Sequence, residues 1–151
     1  MLWDEYFHSI CKAVSNNSKC LSRQIGAILV RDKVIICTGY NGPPRGIPHC
    51  NGDICPRRAK GYVSGDGLHL CPAAHAECNA IVQAARLGIQ TRGAILYLNT
   101  QIPCKDCLIK IINSGIEEVV CTEMKQYDFL TDFLLANSNI KIRLFSHMEE
   151  K

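Results

Sequence analysis

The sequence of 151 residues carries little net charge and no long apolar run. Its formal charge is +3 and its basic residues are scattered, so no broad surface for nucleic acid is indicated. No stretch approaches the ~18 apolar residues of a membrane span, and the first residues are acidic where a secretory signal is basic. Repeats, low-complexity tracts and linkers are absent. We therefore expect a cytoplasmic protein of one domain, residues 1–151, that binds neither membranes nor nucleic acid.

Aromatic residues are also few, at 7% of the chain, which argues against the stacking platforms of a nucleic-acid editing enzyme. Cysteine, in contrast, is abundant, with ten residues. In a reducing compartment these are metal ligands, nucleophiles or small buried apolar residues. Four lie in apolar stretches and are predicted to pack in the core: Cys11, Cys37, Cys78 and Cys121. Six lie at turns and need a chemical explanation: Cys20, Cys50, Cys55, Cys71, Cys104 and Cys107.

The apolar pattern predicts helices and strands in a mixed order. A helix at 3–14 precedes a hairpin of strands 24–30 and 34–38, both of which we expect to be buried on two faces. A loop without periodicity, rich in glycine and proline, extends from about residue 39 to 72. Helices at 75–87, 104–113 and 129–136 then alternate with strands at 94–98, 118–121 and 140–145. This order predicts a three-layer α/β/α sandwich with a mixed central sheet.

Two short segments carry the chemistry, residues 72–77 (PAAHAE) and 103–107 (PCKDC). Each is predicted to open a helix, where the positive helix end favours the thiolate form of cysteine. The spacing of Cys104 and Cys107 directs both sulfurs to one zinc ion, and His75 supplies a third ligand if the two helices lie side by side. Three protein ligands leave the fourth position to water, as in catalytic zinc sites.

Glu77 follows His75 by two positions, close enough to exchange protons with that water. Hydrolytic deamination needs this combination, because water attacks the carbon that bears the amine while one carboxylate moves the protons. The pattern H-x-E followed by P-C-x-x-C is similar to that of the zinc deaminases. The alternative interpretation is a closed structural zinc site in which Glu77 only caps its helix.

Longer stretches resemble the deoxycytidylate deaminases of the cytidine deaminase-like superfamily. The resemblance runs from about residue 22 to 120 and rests on residues 24–30 (QIGAILV), 39–46 (GYNGPPRG), 75–81 (HAECNAI), 103–107 and 114–116 (SGI). Nucleoside deaminases generally have cysteine in place of His75, and tRNA adenosine deaminases lack the loop of residues 39–46. The resemblance implies a cytidine deaminase-like fold and hydrolysis of dCMP to dUMP and ammonia, which supplies dUMP for thymidylate synthesis.

The resemblance also implies roles for single residues. The zinc ligands would be His75, Cys104 and Cys107, and Glu77 would be the proton shuttle. Three residues would contact the substrate: Asn41, Gly42 and Ala76. A cation would bind the phosphate, with Arg23 and Arg86 preferred over Arg57, Arg58 and Lys60. The chain would form a homo-oligomer, often a hexamer in this family, with dCTP and dTTP as effectors.

Some proteins that this chain resembles hold a second zinc, which pins the long loop. Here its ligands would be Cys20, Cys50, Cys55 and Cys71, with His69 or His49 as the alternate for one thiolate. A metal that closes a loop of this length offsets part of its conformational entropy. Free thiols are the other interpretation of these four cysteines.

Two further functions stay open on the sequence alone. The same chemistry could act on CMP, cytidine or another free cytosine compound, because no spacing distinguishes ribose from deoxyribose. The second open function is that of a catalytically silent protein that binds zinc and a nucleotide. Glu77 argues against the silent protein, because a silent site needs no carboxylate beside an open zinc position.

Overall fold

The computed structural model describes residues 1–50, 54–126 and 128–145. A mixed sheet of five strands forms the centre, in the order β2-β1-β3-β4-β5. The strands are β1 (Gly26–Arg31), β2 (Val34–Tyr40), β3 (Ile95–Leu98), β4 (Glu118–Cys121) and β5 (Lys141–Leu144). The helices are α1 (Trp3–Ser15), α2 (Pro56–Ala59), α3 (Ala76–Leu87), α4 (Lys105–Asn113) and α5 (Phe129–Ala136), with a 3₁₀ helix at Leu68–Leu70. Strand β1 runs antiparallel to β2 and β3, whereas β3, β4 and β5 are parallel.

Side-chain alternation along β1 divides the core into two layers. Ala27 and Leu29 belong to the cluster that contains buried residues of α3 and α4. Ile28 and Val30 belong to a second cluster on the opposite face, with Phe7 of α1. Because helices cover both faces of a mixed sheet, the predicted three-layer α/β/α sandwich is confirmed.

The hairpin forms as predicted, but β2 is not buried on both faces. Its turn contains Asp32 and Lys33, whose φ angles of 53° and 63° are the left-handed values of a two-residue hairpin turn. Strand β2 lies at the edge of the sheet, and Val34 is 60% exposed. The prediction of burial on two faces was therefore wrong for β2, because its position in the strand order leaves one side uncovered.

The two helices of the site begin at predicted ligands. His75 is the N-terminal capping residue of α3, and Cys104 is that of α4. Helix α3 ends at Gly88, whose φ of 69° is the left-handed conformation that closes many helices. Between these helices and the hairpin, the long loop contains α2 and the 3₁₀ helix, so it is less irregular than predicted. Across the described residues, every helix is too short or too polar to cross a membrane.

Candidate active site

Three predicted zinc ligands meet where α3 and α4 begin. The Nδ1 atom of His75 lies 3.5 Å from Cys104 Sγ and 3.3 Å from Cys107 Sγ. Ligand atoms bound to one tetrahedral zinc at about 2.0–2.3 Å are about 3.5 Å apart, so the spacing matches. Within residues 1–50, 54–126 and 128–145, this is the one group of three or more potential ligands whose atoms all lie within 4.8 Å of one another. The three side chains therefore fit a zinc site.

Each of these three side chains changes the pKa of its neighbours. A hydrogen bond from Cys107 and a second one from His75 lower the pKa of the Cys104 thiol to about 4, although burial opposes this. The contact with Cys104 in turn raises the pKa of His75 to about 9. The pKa of Cys107 is raised, chiefly because it shares its proton with Cys104. Zinc must therefore displace protons from His75 and Cys107 when it binds.

Glu77 is the acidic side chain of this site, and it is buried. It lies in the first turn of α3 and is only 5% exposed. Burial raises the pKa of its carboxyl group, while the charges of His75 and Arg23 act in the opposite direction. A buried carboxyl group with a raised pKa is suited to accept and return a proton. The site thus combines three metal-ligating side chains with one proton carrier.

Arg23 and Asn41 lie together at the start of β1. The Asn41 side chain accepts a hydrogen bond from the Ile25 backbone N–H at 2.9 Å and donates one to the Arg23 carbonyl at 2.9 Å. The Arg23 guanidinium donates a hydrogen bond to Thr100 Oγ1 at 2.6 Å, and its positive charge acts to lower the pKa of Glu77. Asn41 therefore fixes the backbone that carries Arg23. Thr100 was not predicted, because its role depends on a contact between distant segments.

Arg86 is not brought to Glu77. The two side chains lie about 180° apart around α3, since each residue of a helix advances about 100°. Arg86 lines a separate cavity of about 780 Å³ together with Gly42, Arg45 and His49. Of the two preferred cations, Arg23 shares the end of the molecule that holds the zinc ligands, and Arg86 does not.

The loop after β2 is held close to α3. Gly42 and Ala74 exchange two backbone hydrogen bonds, of 3.2 and 2.9 Å. Ala76 is fully buried, and a Cβ atom on Gly39 would lie 2.6 Å from its carbonyl oxygen. The lack of a side chain at Gly39 therefore permits the close approach of β2 to α3. The predicted substrate contacts Gly42 and Ala76 are thus parts of one packed unit.

Asn79 is a positioning residue that the sequence analysis missed. Its Nδ2 donates to the Tyr40 carbonyl at 2.8 Å and lies 3.5 and 3.4 Å from the carbonyls of Gly42 and Ala74. It thus ties the loop after β2 to the segment that leads into His75. The available signal was an asparagine inside a helix, one turn after His75, where this residue type is disfavoured without a specific partner.

The four loop cysteines are neighbours, but their sulfurs do not form a group as tight as the helix-start ligands. Burial raises the pKa of Cys50, and Cys55, Cys71 and Cys20 raise it further through their charges. The Cys55 sulfur accepts a backbone hydrogen bond from Arg58, which is the main reason why its pKa is lowered. Backbone donors of this kind favour the thiolate form that a metal requires.

The two histidines predicted as alternates each have a defined environment. His69 packs edge-on against Tyr62, with ring centroids 6.2 Å apart. His49 lines the cavity that contains Gly42 and Arg86.

Cys78 is not the simple core residue that was predicted. Its side chain is half-buried, and its Sγ lies 3.6 Å from Cys107 Sγ. Cys11, Cys37 and Cys121 are buried, as predicted. The residue that differs is the one on α3, because that helix packs beside the helix that carries two zinc ligands.

Known proteins share this sequence pattern over most of the chain. Residues 1–123 match the family model described as the cytidine and deoxycytidylate deaminase zinc-binding region. The deoxycytidylate deaminase of Saccharomyces cerevisiae is 38% identical over 148 residues, which are 98% of this chain and 46% of the yeast protein. The deoxycytidylate deaminase of Mycobacterium phage D29 is 42% identical over 123 residues, which are 78% of this chain and 92% of the phage protein.

A solved structure shares the fold. The dCMP deaminase from the cyanophage S-TIM5, in complex with dCMP and dUMP, aligns with a TM-score of 0.74 and 25% identity, over 93% of this chain and 95% of the phage chain. The present chain spans less than half the length of the yeast relative, at 46%. The matched residues include the three predicted zinc ligands and Glu77. The chain therefore belongs to the cytidine and deoxycytidylate deaminase family.

Proposed function

We propose that the chain catalyses the hydrolysis of dCMP to dUMP and ammonia with zinc as cofactor. The observation that carries this proposal is the buried carboxyl group of Glu77 beside three side chains that fit zinc. The yeast and mycobacteriophage relatives bear the name deoxycytidylate deaminase, which supports the same substrate. The product would supply dUMP for thymidylate synthesis.

The side chains of the site divide the work of the reaction. When bound, zinc supplies a Lewis acid that lowers the pKa of water. Glu77 would take one proton from the attacking water and deliver it to the ring nitrogen. It would then take the second proton from the hydroxyl group now bonded to the ring carbon and deliver it to the departing amine. Burial raises the pKa of the Glu77 carboxyl group, which favours its protonated form. His75, Cys104 and Cys107 are fixed by the first turns of α3 and α4.

We propose Arg23 as the contact for the 5′-phosphate. The Arg23 guanidinium donates a hydrogen bond to Thr100, and the charge of Arg23 acts on the pKa of Glu77. Arg23 therefore lies at the end of the site where a bound nucleotide would place its phosphate. Asn41 is proposed to contact the sugar, because an amide has a second hydrogen and a second lone pair beyond the two bonds already described. Gly42 and Ala76 are proposed to present backbone to the ligand.

A parallel substrate assay tests the function. We would follow the loss of cytosine absorbance with dCMP, CMP, deoxycytidine and dCTP, using zinc-loaded protein. We expect turnover of dCMP above that of the others. Arg23→Ala should raise KM for dCMP more than KM for deoxycytidine, whereas Lys12→Ala, which removes an exposed cation of α1, should change neither. Zinc-loaded protein that turns over no cytosine compound would exclude this function.

We propose a second, structural zinc at Cys20, Cys50, Cys55 and Cys71. The support is the charge effect of Cys55, Cys71 and Cys20 on Cys50, which shows that they are neighbours, and the backbone hydrogen bond to Cys55. Zinc analysis tests this. The purified chain is expected to hold two zinc ions, and Cys55→Ser one, with the catalytic zinc retained. A single zinc ion in both proteins would overturn the proposal.

We propose dCTP and dTTP as effectors that bind in the cavity beside Gly42. Arg45 and Arg86 line this cavity, and two guanidinium groups suit a triphosphate. Each nucleotide, added to the dCMP assay, is expected to change the apparent KM in the native chain. The response should be weakened in Arg86→Ala, and an undiminished response in that variant would contradict this placement.

We also propose that residues 1–151 form a single deaminase domain that assembles as a homo-oligomer, a hexamer, in the cytoplasm. One sheet runs through the described residues. The thiol ligands need a reducing compartment.

Phe129 and Phe133 on α5 are 82% and 58% exposed, which supports self-association. Light scattering of the purified chain would distinguish a hexamer from a monomer.

A further inference from the structure

Cys78 adjoins the zinc ligands but takes no part in the proposed reaction. It follows Glu77 on α3, and its half-buried side chain places Sγ 3.6 Å from Cys107 Sγ, which is van der Waals contact between two sulfurs. On its other side, Cys107 Sγ lies 3.3 Å from His75 Nδ1. One ligand sulfur is therefore shared between the zinc site and a neighbouring thiol.

Cys78 stands outside the group of zinc ligands. The three atoms that lie within 4.8 Å of one another belong to His75, Cys104 and Cys107, and the Cys78 sulfur is not one of them. It therefore contacts Cys107 without joining the group of three. A thiol in this place does not complete the coordination of a zinc ion, but it is close enough to form a bond with one of the ligands.

We propose that Cys78 is a site of oxidation whose product forms a disulfide with Cys107 and thereby opens the zinc site. Hydrogen peroxide oxidises the Cys78 thiol to a sulfenic acid and is itself reduced to one water. The Cys107 sulfur then attacks the Cys78 sulfur, the S–O bond breaks, and the oxygen leaves as a second water. The proton for that water comes from the Cys107 thiol, or from solvent where zinc holds this sulfur as a thiolate.

The required movement is small. The two sulfurs have to approach from 3.6 Å to the bond length of about 2.05 Å. Once Cys107 is in the disulfide, His75 and Cys104 remain as the only protein ligands, and two ligands hold zinc weakly. A dithiol reductant restores both thiols, after which zinc binds again.

The test uses the full chain, loaded with zinc and exposed to hydrogen peroxide without substrate. After alkylation of the free thiols and digestion, mass spectrometry is expected to find a peptide pair joined through Cys78 and Cys107. A chromophoric chelator should detect zinc that is released with the same time course. In Cys78→Ala we expect release of the zinc held by His75, Cys104 and Cys107 to be about tenfold slower, because the first thiol to be oxidised is absent.

Two further proteins keep the interpretation clear. Cys78→Ser retains a polar group of similar size and should behave as Cys78→Ala does, so a folding defect of either variant is recognised. Cys37→Ala removes a buried cysteine of the edge strand and should respond to peroxide as the native chain does. Equal zinc release in all four proteins, or a Cys104–Cys107 disulfide as the main product in the native chain, would overturn the proposal.

This inference rests on the zinc site of the proposed function but not on its substrate. Disulfide mapping and zinc release are measured without any nucleotide. A chain that fails to deaminate dCMP, yet forms the Cys78–Cys107 bond and releases zinc, would therefore refute the proposed reaction and leave the oxidation site standing.

Discussion

The zinc ligands at the helix starts and the four loop cysteines are held in different ways. His75, Cys104 and Cys107 belong to the first turns of helices that pack on the sheet, and their ligand atoms already lie within 4.8 Å of one another. Of the four other cysteines, in contrast, Cys50, Cys55 and Cys71 come from segments joined by a four-residue helix and a 3₁₀ helix, and Cys20 comes from the segment between α1 and β1. Among these four, the direct contact is the hydrogen bond between Cys50 and Cys55.

The difference shows what the fold provides before any metal binds. Helices that rest on a buried sheet hold their ligands in position, and catalysis needs this because a small displacement of reacting groups is costly. A loop with few apolar contacts gains its order from the metal instead. We therefore expect the helix-start ligands to accept zinc with little rearrangement and the loop cysteines to require zinc for their arrangement.

The largest effect is expected from loss of a helix-start ligand. Cys104→Ser should lose the catalytic zinc and lower dCMP turnover by more than about 10²-fold, because even loss of a supporting hydrogen bond to a ligand costs 10–100-fold. Cys71→Ser, the matched change in the loop, should keep the catalytic zinc and most of the turnover. Zinc analysis and initial rates check both. Equal losses of zinc and of turnover in the two variants would contradict the distinction between the helix-start ligands and the loop cysteines.

Metal removal should separate the two regions in their dynamics. After dialysis against a chelator, amide hydrogen exchange is expected to rise strongly in the loop between Gly39 and Pro72. The first turns of α3 and α4 should change little, because the sheet and the core hold them. Mass spectrometry of the exchanged peptides makes the measurement. Faster exchange at the helix starts than in the loop would show that zinc, and not the fold, holds the catalytic ligands.

The pre-arranged site should lower the free energy of unfolding of the chain, and a substitution of Glu77 measures this effect. Because burial raises its pKa, the folded state binds this proton more tightly than the unfolded chain, in which Glu titrates at about 4.3. Stability is therefore lost as pH rises from the unfolded value through the raised one. Without metal, Glu77→Gln should unfold at a higher urea concentration than the native chain at pH 8, because its free energy of unfolding is about 1–3 kcal/mol higher. This gain in the free energy of unfolding should shrink at pH 5. A gain that is independent of pH would contradict this origin.

The smallest effect is expected at the opposite face of the sheet, far from both ligand groups. Asp4 accepts hydrogen bonds from Arg143 and, at 2.7 Å, from Tyr97 Oη, and Arg143 holds its pKa below the usual range. This carboxylate stabilises the fold above its unfolded pKa, about 3.9, and the stabilisation is lost as pH falls through the lowered folded value. Asp4→Asn should reduce the free energy of unfolding at pH 7 by up to about 1 kcal/mol. Zinc content and turnover should not change, and a loss of either would link this face to the site.

The elements that local pattern determines could be predicted from the sequence. Helix α5 has the predicted bounds of 129–136, and α3 ends before Gly88 as expected. The meeting of His75 with Cys104 and Cys107 was also predictable, because two ligands at helix starts in a layered fold converge when their helices are neighbours. In these cases the signal lies at the helix ends, in the capping residues and in the ligands placed there.

Features that depend on the path of the chain in space could not be predicted. The edge position of β2 follows from the strand order, which its apolar composition does not reveal. Helical spacing places Arg86 and Glu77 on opposite sides of α3, but only the position of the loop at Gly42 shows which cavity Arg86 lines. The contact of Cys78 with Cys107 likewise requires the packing of two helices, which no local pattern encodes.

The most direct test of the account is the rate of dCMP deamination in two zinc-loaded proteins, the native chain and Glu77→Gln. Zinc content is measured in the same samples, so that loss of metal is separated from loss of the proton carrier. The account predicts equal zinc in both proteins and a rate about 10²–10⁴-fold lower in the variant, the usual contribution of a general acid and base. A variant that holds zinc and deaminates dCMP at the native rate would contradict it.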